Sequence, residues 1–411
     1  MKVLIVGQGG REHALTWKLS ERNEVYCAPG NAGMSEIAKC FEIKDKDELM
    51  NLAMKERIDM TVVGPEAYLA EGIVDDFEKH GLKIFGPNRR AAAIEGSKVF
   101  AKTLMQKYNI PTATFEVFDN PDGAERFVSK LDKPVVVKAD GLAGGKGAIV
   151  AKTKKEAFKA IDDVMRKKIF KEAGNRVVIE EFLTGWEVSV LAFCDGKSIL
   201  PMLSSMDYKK AYDNDEGPNT GGMGSITPAP NYTEELSRFV YKEILLKTLK
   251  ALQAENIEYK GVLYAGLMIT KDGPKVLEFN CRFGDPETQS ILLLLESDLL
   301  EIIEAVVEGE LSKCKISWSD EKAVCVVLAS GGYPESYETG YEIYGLNRLK
   351  DVVVFHAGTK RSNGKILTNG GRVLNLCAKA KTYSEARNKV YKAIEKICFE
   401  NMHYRKDIAN L

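Results

Sequence analysis

The sequence predicts a multidomain fold with α/β and α+β parts, and three observations support this prediction. The first 100 residues alternate short apolar runs with helical patterns, beginning with the strand Lys2–Val6 and the helix REHALTWKLS. The middle of the chain carries a glycine-rich loop, DGLAGGKG, and two long apolar runs separated by the turn KDGP. After about residue 320, strand-like runs such as AVCVVLAS and RVLNLCAKA return. We therefore expect domains at residues 1–100, 101–320 and 321–411.

Length and composition indicate a soluble globular protein. The chain has 411 residues, of which 45% are hydrophobic and 28% charged, so it can bury a sizeable core. A net charge of −1 creates no global field that would attract nucleic acid or an anionic membrane. No apolar run approaches the roughly 20 residues of a membrane span. The start MKVLIVGQGG leads directly into a fold motif, so we expect no signal peptide.

The cysteines predict a reducing compartment. All eight are scattered, none forms C-x-x-C, and several lie within apolar runs, as Cys325 does in AVCVVLA. Buried free thiols are the natural interpretation of such a distribution. We therefore expect a cytoplasmic protein.

A glycine turn follows the first strand and precedes the first helix. Such a turn places backbone N–H groups at a helix N-terminus, where phosphate binds well. We expect Gly9, Gly10 and Arg11 to share one rim with Glu66, which follows the next parallel strand, since ligands bind at the carboxyl ends of such strands. A dinucleotide site is the alternative, but Glu12 stands where its fingerprint requires a third glycine.

A predicted hairpin offers a cation site. The runs Val262–Thr270 and Val276–Phe279 flank the turn KDGP. Side chains two apart on a strand share a face, so Glu278, Asn280 and Arg282 would point the same way. A carboxylate, an amide oxygen and a guanidinium on one face suit Mg²⁺ bound to phosphate. A polar outer face on an edge strand would give the same pattern.

The glycine-rich loop DGLAGGKG follows a strand predicted at Pro134–Ala139. It is not a Walker A loop, because Gly147 follows Lys146 where Ser or Thr should bind the metal. It fits a flexible flap that closes over a triphosphate, with Lys138 and Lys146 contributing positive charge. A second glycine-rich stretch, residues 206–230, lacks any periodicity, and we expect a long functional loop there.

The segment LEFNCRFGDPETQ resembles the signature of the phosphoribosylamine–glycine ligase family, the glycinamide ribonucleotide synthetases of the ATP-grasp superfamily. The motifs GQGGREHAL, APGNAG, VGPEAYLAEGIVD, GSKVFAK, VVKADGLAGGKG, IEEFLTGWEVS, GPNTGGMG and TNGGRVL follow in family order, so the resemblance covers essentially the whole chain. It implies an ATP-grasp fold with an N-terminal Rossmann-like α/β domain and a small C-terminal α+β domain. It also implies a mobile lid at about residues 113–185.

The resemblance implies a carbon–nitrogen ligase of de novo purine biosynthesis. Glycine would attack the γ-phosphate of ATP to give glycyl phosphate. The amine of 5-phospho-β-D-ribosylamine would then attack its carbonyl, giving glycinamide ribonucleotide, ADP and phosphate. The implied cofactors are ATP and Mg²⁺ or Mn²⁺. We expect a monomer whose partners are these small molecules, with no nucleic acid and no membrane.

The family motifs also carry over roles for individual residues. Nucleotide binding falls to Lys98, Lys138 and Lys146 at the triphosphate, to Glu180, Glu181, Phe182 and Leu183 at adenine, and to Glu187 at the ribose. Metal binding falls to Glu278 and Asn280, and catalysis to Arg282 and Lys146. Substrate binding falls to Gly9, Gly10, Arg11, Glu66, Asp207, Lys209, Gly221, Gly222, Arg282, Asp285 and Arg372. Two positions depart from the family pattern, Gly144 in the flap and Trp186, which could line the purine pocket or lie on the surface.

Three alternative functions compete with this hypothesis. Another ATP-grasp carboxylase or ligase could act on a different purine intermediate, although GPNTGGMG and RFGDPETQ together argue against it. An NAD-linked oxidoreductase is disfavoured by the missing third glycine. A nucleotide-binding regulatory protein without catalysis is disfavoured by the intact Lys138, Glu278, Asn280 and Arg282.

Overall fold

The computed structural model describes residues 1–144 and 146–411. Its N-terminal part is a parallel sheet in the order β3-β2-β1-β4-β5, covered by helices on both faces. Strands β1 and β4 are almost wholly buried and rich in Val and Ile, as expected for a sheet covered on both sides. The elements are β1 (Lys2–Gly7), α1 (Gly10–Ser20), β2 (Glu24–Pro29), β3 (Lys39–Cys40), α2 (Lys46–Glu56), β4 (Met60–Val63), α3 (Glu66–Ala70), α4 (Ile73–Lys79), β5 (Ile84–Phe85) and α5 (Arg89–Gly96).

A small antiparallel sheet in the order β6-β9-β7-β8 follows. Helices α7 and α8 pack on it and enclose a core of their own, which includes Val137, Ile161 and Ile179. A separate core lets these residues move as one body. The elements are α6 (Lys98–Lys107), β6 (Phe115–Phe118), α7 (Pro121–Ser129), β7 (Val135–Ala139), β8 (Ala148–Ala151), α8 (Lys154–Ile161) and β9 (Val177–Glu181).

A second antiparallel sheet, in the order β11-β10-β16-β17, forms the centre of the molecule. The predicted KDGP hairpin is confirmed as β16 and β17, with Thr270 opposite Gly273. The elements from here to residue 308 are β10 (Trp186–Asp195), β11 (Ile199–Pro201), β12 (Met206–Asp207), β13 (Lys210–Tyr212), β14 (Glu216–Asn219), β15 (Gly224–Thr227), α9 (Glu234–Phe239), α10 (Leu246–Ala254), β16 (Lys260–Thr270), β17 (Gly273–Asn280), α11 (Glu287–Leu294) and α12 (Leu299–Glu308).

The C-terminal sheet runs in the order β12-β15-β18-β22-β19, with β23 also paired to β18. Helix α13 packs against β18 and β22 over the apolar residues of this part. The C-terminal elements are β18 (Lys322–Ser330), β19 (Val353–His356), β20 (Thr359–Ser362), β21 (Lys365–Thr368), β22 (Arg372–Ala380), α13 (Tyr383–Ile394) and β23 (Met402–His403). Two of its strands, β12 and β15, therefore come from the amino side of the predicted boundary at residue 320.

The predicted combination of α/β and α+β parts is confirmed, and one local prediction is wrong. Residues 206–230 are not one irregular loop, since they hold β12 to β15. Those strands are two to four residues long, too short for alternation to reveal them in sequence.

Two histidines meet where the N-terminal part packs on β19. The backbone N–H of His356 donates to His13 Nδ1 at 2.7 Å, and the two ring centroids are 5.6 Å apart. Burial and the neighbouring His356 lower the pKa of His13 from 6.5 to about 3. Burial and the charge of Arg361 lower the pKa of His356 to about 4. Both rings are therefore neutral in the folded protein at physiological pH.

This pair predicts a loss of stability in mild acid. Because the folded pKa values lie below 6.5, the unfolded chain binds protons first as the pH falls. The stabilisation is complete above about pH 6.5 and is lost towards pH 4. We expect the thermal midpoint to fall across this window and the fall to shrink in His13→Asn. The exposed His80 provides a control, and His80→Asn should leave the slope unchanged. Equal slopes in His13→Asn and the unmodified protein would contradict this explanation.

Candidate active site

A cleft of about 300 Å³ opens between the N-terminal part, the small sheet and the central sheet. Residues from all three contribute to its walls, so the cleft is a product of the tertiary structure. It gathers most of the predicted site residues. Those that line it are Glu66, Lys98, Lys138, Glu180, Glu181, Phe182, Leu183, Glu187, Asp207, Lys209, Gly221, Glu278, Asn280, Arg282 and Asp285.

Two oxygen donors at the end of β17 fit a divalent cation. Glu278 Oε2 lies 3.2 Å from Lys98 Nζ, and Lys98 holds the pKa of the Glu278 carboxyl well below its usual range. Asn280 is nearly buried and its Oδ1 faces Arg282 at 3.2 Å. Within the described residues, no three His, Cys, Asp or Glu side chains converge on a metal position. Two hard oxygens suit an ion that completes its shell with water and phosphate, as Mg²⁺ does.

Arg282 ties the end of β17 to the N-terminal part. Its Nε lies 3.1 Å from Glu66 Oε2 and its Nη2 lies 3.0 Å from Glu95 Oε1. Burial opposes the guanidinium charge, but Glu95 and Glu66 outweigh it and raise the pKa of Arg282. The same contacts act in reverse on Glu66, where Arg282 and Arg11 overcome burial and lower its pKa to about 2. The cleft therefore keeps a fixed cation beside the oxygens of Glu278 and Asn280.

A buried charge cluster lies at the junction of α6, β7 and β9. Glu180 Oε2 lies 3.0 Å from both Lys102 Nζ and Lys138 Nζ. Burial and the nearby Lys138 lower the pKa of Lys102 to about 8. Lys138 also donates to Leu277 O at 2.8 Å, which joins the small sheet to β17. Glu180 Oε1 is buried without a hydrogen-bond partner among the described residues, so it is an acceptor available to a ligand.

The opposite end of the cleft is acidic. Glu287 Oε1 accepts hydrogen bonds from Tyr264 Oη at 2.5 Å and from Ser189 Oγ at 2.9 Å. Burial and the charge of Glu287 raise the pKa of Asp207 well above its ordinary value. Asp207 Oδ1 has no hydrogen-bond partner in the described part of the chain. Two close carboxyl groups with spare acceptor capacity suit an ammonium group.

Some of the residues predicted to contact adenine or ribose are already bound to other protein groups. Glu181 Oε1 accepts from Thr114 N at 3.0 Å and from Lys275 Nζ at 3.2 Å, so this carboxylate joins the small sheet to the hairpin. Glu187, predicted at the ribose, is paired with Lys209 at 2.8 Å. Phe182 is 40% exposed in the cleft wall, and Leu183 is buried beside it. Trp186 packs on the main apolar core and does not line the cleft.

The first glycine turn is filled by its own helix, which corrects one expectation. The Glu12 carboxylate accepts the Gly9 N–H at 2.6 Å and pairs with Arg11 Nε at 2.5 Å. A Cβ at Gly9 would lie 2.6 Å from Glu12 Oε2. The Gly9 amide is thus not free for phosphate. At Gly10 a Cβ would clash with Asn375, so that glycine serves the packing of α1 against β22.

Arg372 also differs from its predicted role. Its Nη1 donates to Gly221 O at 2.6 Å and to Asp285 O at 2.8 Å, and its Nη2 pairs with Asp285 Oδ2 at 3.2 Å. Gly222 O is a further acceptor at 3.5 Å. The guanidinium therefore joins the glycine turn at Gly221 and Gly222 to the loop after β17. In this arrangement it is engaged with protein oxygens rather than turned towards a phosphate.

The flap lysine Lys146 reaches the C-terminal part instead of the cleft wall. Its Nζ donates to Pro334 O at 3.0 Å. The neighbouring Tyr333 Oη accepts the Gly221 N–H at 3.0 Å. One loop of the C-terminal part therefore touches both the flap and the glycine turn. A triphosphate contact by Lys146 would require it to leave Pro334.

Sequence reasoning missed several residues that complete the site. They are Glu95, Lys102 and Tyr264. Glu95 carried a signal, since a glutamate in the last turn of α5 opposes the helix dipole and needs another reason to be there. Lys102 and Tyr264 carried none, because each sits within an ordinary helix or strand pattern.

The chain is similar to known proteins over its whole length. Residues 1–95, 96–288 and 323–411 match family models described as the N domain, the ATP-grasp (A) domain and the C domain of phosphoribosylglycinamide synthetase. The phosphoribosylamine–glycine ligase of Caldanaerobacter subterraneus subsp. tengcongensis is 54% identical over 100% of this chain and 99% of its own. That of Halalkalibacterium halodurans is 49% identical over 100% of this chain and 97% of its own.

Solved structures agree with the sequence matches. The phosphoribosylamine–glycine ligase of Thermotoga maritima superposes with a TM-score of 0.87 at 36% identity, covering 99% of this chain and 100% of that one. The biotin carboxylase domain of Hydrogenobacter thermophilus 2-oxoglutarate carboxylase, solved with MgADP and bicarbonate, gives a TM-score of 0.74 at 16% identity, covering 98% and 91%. At that identity the second likeness shows the fold alone. The predicted ATP-grasp fold is confirmed.

The Arg282 cluster predicts a large effect of Glu95→Gln. This substitution leaves a buried guanidinium short of one counter-charge, which costs about 3–5 kcal/mol for buried pairs. We expect urea denaturation to show a loss of that order. Glu308→Gln is the control, because Glu308 pairs with Lys83 on the surface and exposed pairs contribute about 0–1 kcal/mol. Similar losses of unfolding free energy in the two variants would contradict the role of Glu95 as a counter-charge of Arg282.

Proposed function

The chain belongs to the phosphoribosylglycinamide synthetase family, and we propose that it catalyses ATP-dependent ligation of glycine to 5-phospho-β-D-ribosylamine. The products are glycinamide ribonucleotide, ADP and phosphate, and the reaction belongs to de novo purine biosynthesis. One observation carries the proposal beyond family membership. A single cleft joins a cationic end, lined by Lys98, Lys138 and Arg282, to an acidic end, lined by Asp207 and Glu287.

The cationic end suits the nucleotide. Lys98 and Lys138 would supply counter-charge to triphosphate oxygens, and the unpaired Glu180 Oε1 could accept a hydrogen bond from the exocyclic amine of adenine. Glu278 and Asn280 would hold Mg²⁺ or Mn²⁺, which when bound neutralises charge on the phosphates. The low pKa of Glu278 keeps it ionised for this role at any physiological pH.

The acidic end suits glycine. Its ammonium group would lie between Asp207 and Glu287 and relieve their mutual repulsion. Its carboxylate would face Arg282 and the phosphates. A Cβ at Gly222 would lie 2.6 Å from Asp207 Oδ1, so the turn beside this position is tightly packed. Such packing is consistent with a substrate that has no side chain.

The reaction then needs alignment more than a nucleophilic side chain. A glycine carboxylate oxygen attacks the γ-phosphorus, ADP leaves, and glycyl phosphate forms. The ribosylamine nitrogen attacks the glycyl carbonyl carbon and phosphate leaves with the bonding electrons. Fixed charges such as Arg282 and Lys98 stabilise the developing negative charge without reorganising. Positioning by the cleft supplies the remaining acceleration.

Several broader assignments complete the proposal. Residues 113–185 act as a mobile lid, since their sheet has a core of its own and carries the flap. The protein works as a cytoplasmic monomer on small molecules, without a nucleic-acid or membrane partner. The near-zero net charge and the free, mostly buried thiols support this assignment. Among the described residues, no helix is long and apolar enough to cross a membrane.

Phosphate release tests the function directly. We would supply ATP and Mg²⁺, and add glycine and freshly prepared phosphoribosylamine singly and together. Release only with both substrates, with formation of the amide product, is the expected result. Release with glycine alone would indicate leakage of the acyl phosphate and would still support the mechanism. No release in any combination, with ATP binding intact, would overturn the proposal in favour of another purine intermediate or a non-catalytic role.

The metal assignment predicts that Glu278→Gln lowers turnover by about 10²-fold or more, because a key electrostatic group is lost. Initial rates over a range of Mg²⁺ concentrations would measure this. Glu243→Gln is the control, since Glu243 pairs with Lys247 on a helix surface away from the cleft. Near-normal turnover of Glu278→Gln in Mg²⁺ would refute the assignment.

A further inference from the structure

Residues 206–224, which we call the substrate loop, carry Asp207, Lys209 and Gly221 into the cleft yet have little core of their own. Most of this segment is exposed or half-buried, and β13 and β14 pair with an irregular register. A loop of this kind does not hold its side chains in place unaided. Something outside it must therefore fix its conformation.

The end of the chain supplies this support through Arg405. The side chain is 1% exposed, which is exceptional for an arginine. Its Nε and Nη2 bind Asp407 Oδ1 at 2.8 Å and Oδ2 at 2.6 Å. Its Nη1 reaches the substrate loop, donating to Asp215 Oδ1 at 2.8 Å and to Lys210 O at 3.2 Å. The guanidinium also lies 5.1 Å from the centre of the Tyr208 ring.

Other contacts from the same tail reinforce this arrangement. Asp407 Oδ2 accepts the Asn214 N–H at 2.9 Å. Lys406 N–H donates to Asp213 Oδ1 at 2.7 Å. The Ala409 N–H donates to Tyr208 Oη at 3.1 Å. The tail thus holds the loop through both backbone and side-chain groups, with Arg405 at the centre.

The positions of these contacts along the loop are informative. Tyr208 and Lys210, which Arg405 contacts, flank Lys209 on both sides. Successive side chains of an extended chain point to opposite faces. Tyr208 packs on the C-terminal core, while Asp207 and Lys209 line the cleft. Fixing the outer face of the segment therefore fixes the direction of the two cleft residues.

We propose that Arg405, which does not line the cleft, is a positioning residue that orients Asp207 and Lys209 for substrate binding. The inference rests on the proposed function for the identity of the substrates. Only a planar guanidinium can bind Asp407 through two parallel hydrogen bonds and still reach Asp215 and Lys210 O. A lysine at this position would keep the charge but lose the shape.

The test compares Arg405→Met and Arg405→Lys with Arg387→Met. Arg387 also binds the tail, through Ile408 O at 3.0 Å and Lys406 O at 2.7 Å, but among the described residues no hydrogen bond or ion pair joins it to the substrate loop. We expect both Arg405 variants to lower kcat/KM for glycine and phosphoribosylamine by about tenfold or more, since small misplacements are costly. The KM for ATP should change less, by about threefold at most, because the nucleotide is affected only through the pairing of Lys209 with Glu187. Arg387→Met should leave all three constants within about twofold.

Hydrogen exchange separates this inference from the proposed reaction. In the full-length Arg405→Met protein, peptides over residues 206–224 should exchange about tenfold faster than in the unmodified protein, while those over 177–183 should not change. Unchanged exchange in residues 206–224 would overturn the inference even if the ligase activity is confirmed. If exchange is faster in Arg405→Met but the unmodified protein itself has no ligase activity, only the proposed function is refuted.

Asp215→Ala provides a second route if Arg405→Met does not fold. Asp215 is 71% exposed, and its substitution removes one contact between Arg405 and the loop. We expect a smaller change in the same direction, about threefold in kcat/KM for the two substrates. Full restoration of activity by Arg405→Lys, or normal constants in Asp215→Ala with normal loop exchange, would contradict the positioning role.

Discussion

The structure depends on one largely buried cation, Arg282, at the end of the central hairpin. Its guanidinium binds Glu66 from the N-terminal part and Glu95 from α5, and it also contacts Asn280. A charge removed from water is tolerated only when it is paired and hydrogen-bonded, so these elements must meet at one point. The N-terminal part, α5 and β17 are therefore held together by one side chain of the cleft wall.

A second constraint concerns how the cleft is closed. The loop after β18 binds Lys146 of the flap through Pro334 O and the glycine turn through Tyr333 Oη. Arg372 then ties that glycine turn to Asp285. One loop of the C-terminal part thus joins the flap to the turn at Gly221.

The first glycine turn shows how similar motifs can serve different ends. In dinucleotide-binding proteins such a turn accepts a pyrophosphate. Here the Glu12 carboxylate takes that place, capping its own helix through the Gly9 N–H. A negative charge already satisfies the amide and would repel a phosphate there. The turn therefore stabilises α1. Glu12 also pairs with Arg11, and Arg11 in turn pairs with Glu66 of the Arg282 cluster.

The sequence by itself determined the fold class, the KDGP hairpin and the alignment of Glu278 with Asn280, because these follow from local periodicity and turn chemistry. With the family resemblance, it also identified about half of the residues that line the cleft. Only the tertiary structure decided which groups pair. Glu95, Lys102 and Glu287 join the site through contacts across many residues, and Arg372 and Lys146 are turned to protein oxygens. Local sequence encodes strand and turn, whereas the pairing of buried charges depends on which distant segments meet.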